Sequence, residues 1–494
     1  MKKNIFRIFL VSMFVFSLTS CTEWLHTEPR HAISDEAALN DMSGIESTVI
    51  SMYDIVQSGN YYGRDMLVAG DVLADNAQIS VTNTGRFLAH STNVVGAGFG
   101  ETVSVWRNAY RVINIANLIL DAVGLVADGT PARINQATGE AHFMRGLAYF
   151  DLLRIYARNV NHPVGEPLGV IHRLIPFRGF DEHTFGRRST ILEGYQLVES
   201  ELLAAERLLN NTTHFPYRVS QIAAQALLAR LYLYWGRWAD AIIYARRVRT
   251  AWATLAHAHP WLTPAANHRQ IWSATPGTES IWELRYEAGE RQDMDNSLQG
   301  ILMITSPPGN VGYGDVIMRA DFLAQFEPGD VRGTIATHNG DPTGMIFRRL
   351  RGGETVHYTM KFNGWRDPAV PWWDDVEIIR TAEVQLTLAE ALAHPGAAQN
   401  LAEARTELNL LRAARGLPPT PAADAGLLEA IIRERRVELV FEGHRWFDLT
   451  RLGRDIPKPG GIGTPLAWND FRTVMRIPLG ERDANPNLVQ NPGY

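Results

Sequence analysis

Cys21 is the only cysteine among 494 residues, so no disulfide can form within the chain and any fold must be held by packing. Hydrophobic residues make up 46% of the sequence, and a chain of this length can bury a sufficient core without covalent staples. The position of the cysteine constrains the chain further. Lys2, Lys3 and Arg7 precede an apolar run from Ile8 to Leu18 that only Ser12 and Ser17 interrupt, and Leu18-Thr19-Ser20-Cys21 closes it. Positive charge, an apolar stretch and small residues in that order read as a secretory signal. The run is too short to span a bilayer, which takes roughly 20 apolar residues. The LTSC tetrapeptide has the form of a bacterial lipobox, in which the cysteine becomes the first residue of the mature chain and carries lipid on its sulfur and its new amino group. The alternative is an ordinary cleavable signal followed by a stray cysteine. The expectation is therefore residues 1–20 as a signal peptide and Cys21 as the lipidation site. Each buried CH₂ contributes about 0.8 kcal/mol, so two or more acyl chains anchor a protein durably.

No later segment approaches a membrane span, so the chain beyond Cys21 is expected to lie outside the bilayer. Removing Lys2, Lys3 and Arg7 takes the net charge from −6 to −9, a poor balance for gripping nucleic acid or anionic lipid. Lys2, Lys3, Lys361 and Lys458 are the only lysines, whereas arginines are scattered along the whole chain. That bias reads as base composition, not function.

Apolar residues at helical spacing dominate 101–127 and 137–158, with Gly124, Gly129 and Pro131 between them. In 141–150 almost every side of the helix is apolar or small, which predicts burial among other helices. Leu228, Ala229, Tyr232, Gly236, Trp238, Ala241, Ala245 and Val248 follow tetratricopeptide spacing, with Gly236 at the turn. A further pair is expected at Val384–His394 and Leu401–Gly416, turned by Pro395-Gly396, and one long helical stretch over 426–452. The fold class is thus mainly α: tetratricopeptide-like helix pairs as a scaffold, an irregular loop-rich face and a few short strands. The expected division is one domain over 21–494, with helical scaffold at 101–255 and 376–452. Segments 59–100 and 256–375 are loop-rich, carrying aromatic residues among Gly, Pro and Asn, and irregular segments on a rigid scaffold are where binding commonly happens.

Near the C-terminus, Glu434, Glu438, Glu442 and Arg445 recur every three or four residues, predicting one helical face on which Arg435 and Asp448 join an ion-pair ladder. The surrounding string, ERRVELVFEGHRWFDLTRLG, is similar to the most recognisable segment of the SusD/RagB family of outer-membrane nutrient-binding lipoproteins of Bacteroidota. The ending from Ile477 to Tyr494 and the strings GEAHFMRGLAYFDLLRIYA, AAQALLARLYLYWGRWADAI and IIRTAEVQLTLAEAL are similar to family blocks in the same order. One departure is Thr381, where the family commonly has tyrosine. The resemblance covers essentially the whole chain. It implies a lipid-anchored protein on the outer face of the outer membrane, four tetratricopeptide-like helix pairs, a nutrient-binding face, and a SusC-like TonB-dependent transporter on which the protein sits as a lid.

Sugars present C–H faces that pack on aromatic rings and hydroxyls that need polar partners at the edge. Trp365, Trp372, Trp373 and Tyr313 fit that chemistry, with Tyr61 and Tyr62 as further candidates and Arg366, Asp374 and Asp375 as hydroxyl partners. Trp106 and Trp446 read as core. No HExxH, GxSxG or P-loop string occurs, and no histidine cluster has metal-ligand spacing. Asp293-Met294-Asp295-Asn296 lacks the glycine and later glutamate of a calcium loop. No catalytic residue, metal ligand or cofactor is assigned. The expected function is binding and delivery of an oligosaccharide, with oligopeptide cargo or a ligand-free interaction scaffold as alternatives.

Overall fold

Asp41 opens the first helix of the described residues by accepting the Gly44 amide at 2.7 Å, and α1 (Met42–Gln57) turns Ile45, Val49, Met52 and Val56 inward. The computed structural model describes residues 39–494 except 84, 99, 164, 180–184, 256–258, 291, 307–309, 338–342, 365–369 and 459–462. The expected signal, the Cys21 lipidation site and the candidates Trp365 and Arg366 lie outside the described residues. No helix among the described residues is long and apolar enough to cross a membrane.

The scaffold continues with α2 (Asp65–Leu73), α3 (Glu101–Ala122), α4 (Pro131–Tyr156), α5 (Ile191–Leu208), α6 (Gln221–Trp235), α7 (Trp238–Trp252), α8 (Thr381–Ala393) and α9 (Leu401–Ala414). From α3 to α9 each helix packs on the next, and α1 covers α3. Local chemistry sets the ends. Thr130 caps α4 ahead of Pro131, Thr190 and Glu193 form a reciprocal capping box on α5, and Gly236 ends α6 at φ +73°. As its all-round apolar pattern predicts, α4 is buried from Gly139 to Tyr156 except at His142, and α8 is buried along its whole length. Helices α4 and α5 approach closely where side chains are missing. A Cβ on Gly194 would sit 2.7 Å from Leu153, and one on Gly146 would sit 3.1 Å from Leu202.

Short strands tie the irregular segments to this row. β1 (Ala77–Ile79) pairs antiparallel with β5 (Val316–Met318), β2 (Leu168–Ile171) with β3 (Arg188–Thr190), and β4 (Ser280–Leu284) with β9 (Val376–Arg380). β6 (Ile335–Ala336), β7 (Ile346–Arg351) and β8 (Glu354–Thr359) form a three-stranded sheet with β7 central, whose β7–β8 turn is Gly352-Gly353 at φ +57° and +84°. One continuous apolar cluster runs from Leu39 to Leu488 and includes Trp106 and Trp446. It also absorbs Trp272, Trp282 and Tyr286 of the loop-rich region, and Tyr358 sits in a smaller satellite cluster.

The stretch 426–452 departs from its expectation. It is two helices, α10 (Leu427–Glu438) and α11 (Arg445–Arg451), separated by a turn in which Phe441 has φ +59° and Gly443 φ +76°. A Cβ at Gly443 would lie 2.6 Å from the Met66 carbonyl oxygen, so the turn presses against α2 in a way only glycine allows. The acidic residues therefore do not form a ladder along one helix. Glu438 accepts from Arg332, Arg380 and Arg415, and Glu442 from Arg380 and Lys361, each of these side chains being no more than 7% exposed. The expected Arg435–Asp448 pair does form, at 2.9 Å.

Candidate functional site

The pairing of β1 with β5 brings Ser80 and Arg86 to Tyr313 and Asp315, and Ser80 donates its amide to the Asp315 carbonyl at 2.8 Å. From the same side, Gly59 meets residue 296 so closely that a Cβ there would lie 2.6 Å from the Asn296 carbonyl oxygen. The two segments expected to be loop-rich thus meet, although the first of them holds α2.

At their junction is a short helix, Leu298–Leu302, capped by Ser297, whose hydroxyl accepts the Gly300 amide at 2.9 Å. Two candidate aromatics are anchored on adjacent residues of it. Tyr313 donates its amide to the Gly300 carbonyl at 2.7 Å, and Trp372 donates its amide to the Gln299 side-chain oxygen. Both side chains are half-buried. Trp372 has φ +58°, a left-handed conformation uncommon for a bulky residue, and lines a small cleft with Gln292, Gln299 and Asp374.

Arg86 lies over the Tyr313 ring, its guanidinium carbon 3.8 Å from the centroid. The cation is held there by Asp315 at 3.1 Å and by Asp295. Burial lowers the pKa of Arg86, but the two carboxylates outweigh it and hold the group above its ordinary value. A hydrogen bond with Asp295 holds the Tyr313 phenol above its usual range, and burial pushes the Asp315 carboxyl up. Arg64 donates to the Asp295 carbonyl, fastening the same loop from its other end. The arrangement is an aromatic platform with its cation already neutralised, suited to an uncharged ligand that brings C–H surface and hydroxyls.

The structure corrects several expectations. Tyr61 and Tyr62 are buried, and their hydroxyls donate to Asp151 of α4 at 2.7 and 3.0 Å, so neither ring is open to a ligand. Trp373 packs against the core and donates its indole N–H to the Tyr286 carbonyl at 2.5 Å. Trp372 is left-handed, so it and Trp373 do not stand as successive residues of an extended strand. Asp374 accepts the Gly364 amide at 2.7 Å and Asp375 the Tyr286 amide at 2.9 Å, so both brace backbone. Asp71, Asp75 and Asn76, in segment 59–100, instead hold the C-terminal turn. Asp71 accepts the Phe441 amide, Asp75 takes Arg445 at 2.6 Å, and Asn76 takes Arg436 at 2.7 Å. The sequence reading missed Arg86, Asp315 and Gln299, whose only signal is polarity within aromatic-rich loops. Asp293 and Asp295 spend their carboxylates on Asn296 and Arg86, and among the described residues no group of three or more acidic, histidine or cysteine residues is placed to hold a metal ion.

Residues 23–233 match a family model described as starch-binding associating with outer membrane, and residues 374–494 match the SusD family model. SusD-like protein P25 of Formosa agariphila is 30% identical over 548 aligned positions, spanning 97% of this chain and 98% of that relative. The chain belongs to the SusD family. SusD-like protein P38 of the same organism is 24% identical and spans 100% of this chain and 99% of its own. A SusD superfamily protein from Bacteroides vulgatus superposes with a TM-score of 0.80 at 26% identity, covering 92% of this chain and 99% of that one. A laminarin binding SusD-like protein shares the fold at a TM-score of 0.72 and 22% identity, covering 92% and 100%. SusD proteins are binding proteins and not enzymes. The two matched stretches leave 234–373 between them, and that interval holds Tyr313, Trp372 and the helix that carries both.

Proposed function

We propose that this SusD-like protein is a lipid-anchored binder on the outer face of the outer membrane that takes up oligosaccharide on the Tyr313–Trp372 face and delivers it to a SusC-like TonB-dependent transporter, acting as its lid. The observation that carries the reading is the anchoring of Tyr313 and Trp372 on adjacent residues of one short helix, with Arg86 fixed over the tyrosine. A neutral sugar ring gains contact with the aromatic surfaces without displacing the Arg86–Asp315 pair, and its hydroxyls meet Gln292 and Gln299 at the rim. Anchoring the aromatics through their backbones reduces the ordering cost of binding. The starch-binding description of the matched family model and the laminarin binding relative support the sugar class.

Calorimetric titration with malto-oligosaccharides, laminari-oligosaccharides and a mixed peptide pool tests the cargo. The expected outcome is binding of a neutral glycan that Tyr313→Ala weakens at least tenfold with little change in melting temperature. Glycan affinity unaffected by that substitution, or peptide binding that depends on Tyr313, overturns the reading. For the partner, the protein purified from native membranes should carry a β-barrel with it, and recovery alone under conditions that keep membrane complexes intact counts against the lid assignment.

A further inference from the structure

Residues that take no part in the Tyr313–Trp372 face enclose a second cleft, of about 490 Å³, between α3, the segment around 171–177 and the C-terminal tail. Its volume lies within the range of small-ligand pockets, roughly 300–1,000 Å³. Its walls are fixed by hydrogen bonds. The Tyr110 hydroxyl donates to the Ile171 carbonyl at 3.0 Å and accepts the Ile171 amide at 3.1 Å, and Asn114 accepts the Phe177 amide at 2.7 Å. On the tail side, Asn485 donates to the Gly186 carbonyl at 2.9 Å and Asn487 to the Phe185 carbonyl at 2.8 Å. Phe177 and Phe185 are nevertheless 40% and 38% exposed, so this bracing holds apolar rings open to solvent.

The charge in this cleft differs from that of the first face. Arg107, Arg111 and Arg173 line it against a single carboxylate, Glu481. Arg107 and Arg111 are four residues apart and so share one side of α3. Both are exposed, and among the described residues neither makes an ion pair; Arg111 reaches only Asn108, at 3.4 Å. Many other arginines are committed: Arg86 to Asp315, Arg332 to Glu434, Arg415 to Glu438, Arg451 to Glu390. In a chain of net charge −6, two uncommitted guanidinium groups one turn apart beside fixed aromatic rings form a receptor for an anion attached to a C–H-bearing ring.

We propose that this cleft is a second binding site, for a sugar unit bearing a carboxylate or a sulfate. The anion lies against Arg107 and Arg111, the sugar ring packs on Tyr110 and Phe177, and Glu481 accepts from its hydroxyls. The sugar part of this inference rests on the glycan-binding reading above; the anion part rests on the cleft alone.

The test is titration of the full chain in detergent micelles with trigalacturonate, a sulfated carrageenan tetrasaccharide and neutral galactotetraose. The expected result is at least tenfold tighter binding of one or both anionic probes than of the neutral one, weakening as salt is raised. A preference for trigalacturonate assigns a carboxylate and a preference for the carrageenan fragment a sulfate. Arg107→Ala/Arg111→Ala should lose the anionic probe by tenfold or more at unchanged melting temperature, Arg107→Lys/Arg111→Lys should retain part of the affinity, and Tyr313→Ala should leave it untouched. Equal binding of all three probes, no binding of either anionic probe, or loss through Tyr313→Ala instead of the arginine variant overturns the second site. Failure of the anionic probes to bind leaves neutral glycan binding at Tyr313 standing, and loss of neutral glycan binding in Tyr313→Ala leaves the anion site standing, so the two readings fail separately.

Discussion

Arg415 holds both oxygens of Glu438, at 2.8 and 2.9 Å, and neither side chain reaches solvent. Arg332 and Arg380 close on the same carboxylate at 3.0 and 3.2 Å, while Arg380 and Arg415 both also hold Glu279. These residues come from separate stretches of chain, and the carboxylate is what lets three guanidinium groups be buried together. Together they hold Glu438 well below the usual carboxylate range against the opposing effect of burial. The segment of greatest family resemblance is therefore an internal clamp.

Replacing Glu438 by alanine should leave three buried cations short of a partner, and breaking a buried pair of this kind costs roughly 3–5 kcal/mol. Thermal melts should show a large loss of stability, while the protein that remains folded should bind its glycan as before. Normal melting with abolished binding would place Glu438 in the ligand site instead.

Much of the scaffold was legible because it is written locally. The spacing in 101–127 and 137–158 found α3 and α4 but missed the end of α3 by five residues and the start of α4 by six, Pro131 opening α4 instead of separating the pair, and Gly236 marked the α6–α7 turn. The break between α10 and α11 was not legible, because the charge periodicity runs straight through it and Gly443 alone hints at the turn. Nor could the sequence show that Tyr61 and Tyr62 are inside, since their partner Asp151 lies 90 and 89 residues away on α4. Tyr313 and Trp372 were recognised by composition, but what positions them was not. Arg86 reaches Tyr313, and Gln299 reaches Trp372, only through tertiary structure.

Glu283 and Glu377 are register partners across β4 and β9, and both are buried. Burial first, and then the Glu283 charge, raise the Glu377 pKa well above its ordinary value. A carboxyl raised in the folded state binds its proton more tightly there than in the unfolded chain. It contributes stability below the unfolded value, near 4.5, and that contribution is lost as pH rises toward the folded value. Glu377→Gln removes the titration. The variant should gain on the parent as pH is raised from about 4.5 to 8, read by thermal melts across that range. A gap that is flat with pH, or that opens only on acidification, would show that Glu377 is not held above its ordinary value.

If Cys21 carries the anchor, Cys21→Ala should yield a folded protein that no longer fractionates with the outer membrane. Each acyl chain contributes about 0.8 kcal/mol per buried CH₂, and no helix among the described residues replaces it. The measurement belongs in cells lacking the partner barrel, where retention of the variant on the membrane would point to an anchor other than lipid.

Trp372 and Trp373 are neighbours with opposite surroundings, and the difference makes their substitutions separable. Trp373 gives its indole N–H to the Tyr286 carbonyl and packs on the core; Tyr286 in turn donates its hydroxyl to the Gln57 carbonyl at 2.6 Å, at the end of α1. Trp373→Ala should therefore destabilise, though by less than the roughly 3–5 kcal/mol of a fully buried aromatic, because Trp373 is half-buried. Trp372 is bound to Gln299 by its backbone, which alanine retains, and its side chain is half-buried beside the Gln292–Gln299 cleft. Because Trp372 has φ +58°, Trp372→Gly should relieve backbone strain while deleting the same ring, which gives a second variant that tests the ring itself. Both Trp372 variants should melt close to the parent and lose at least tenfold in glycan affinity by calorimetry. Unchanged affinity in both would remove Trp372 from the site and leave Tyr313 to carry the sugar contact. Lost affinity in Trp372→Ala that Trp372→Gly restores would show that the backbone, and not the ring, holds the site.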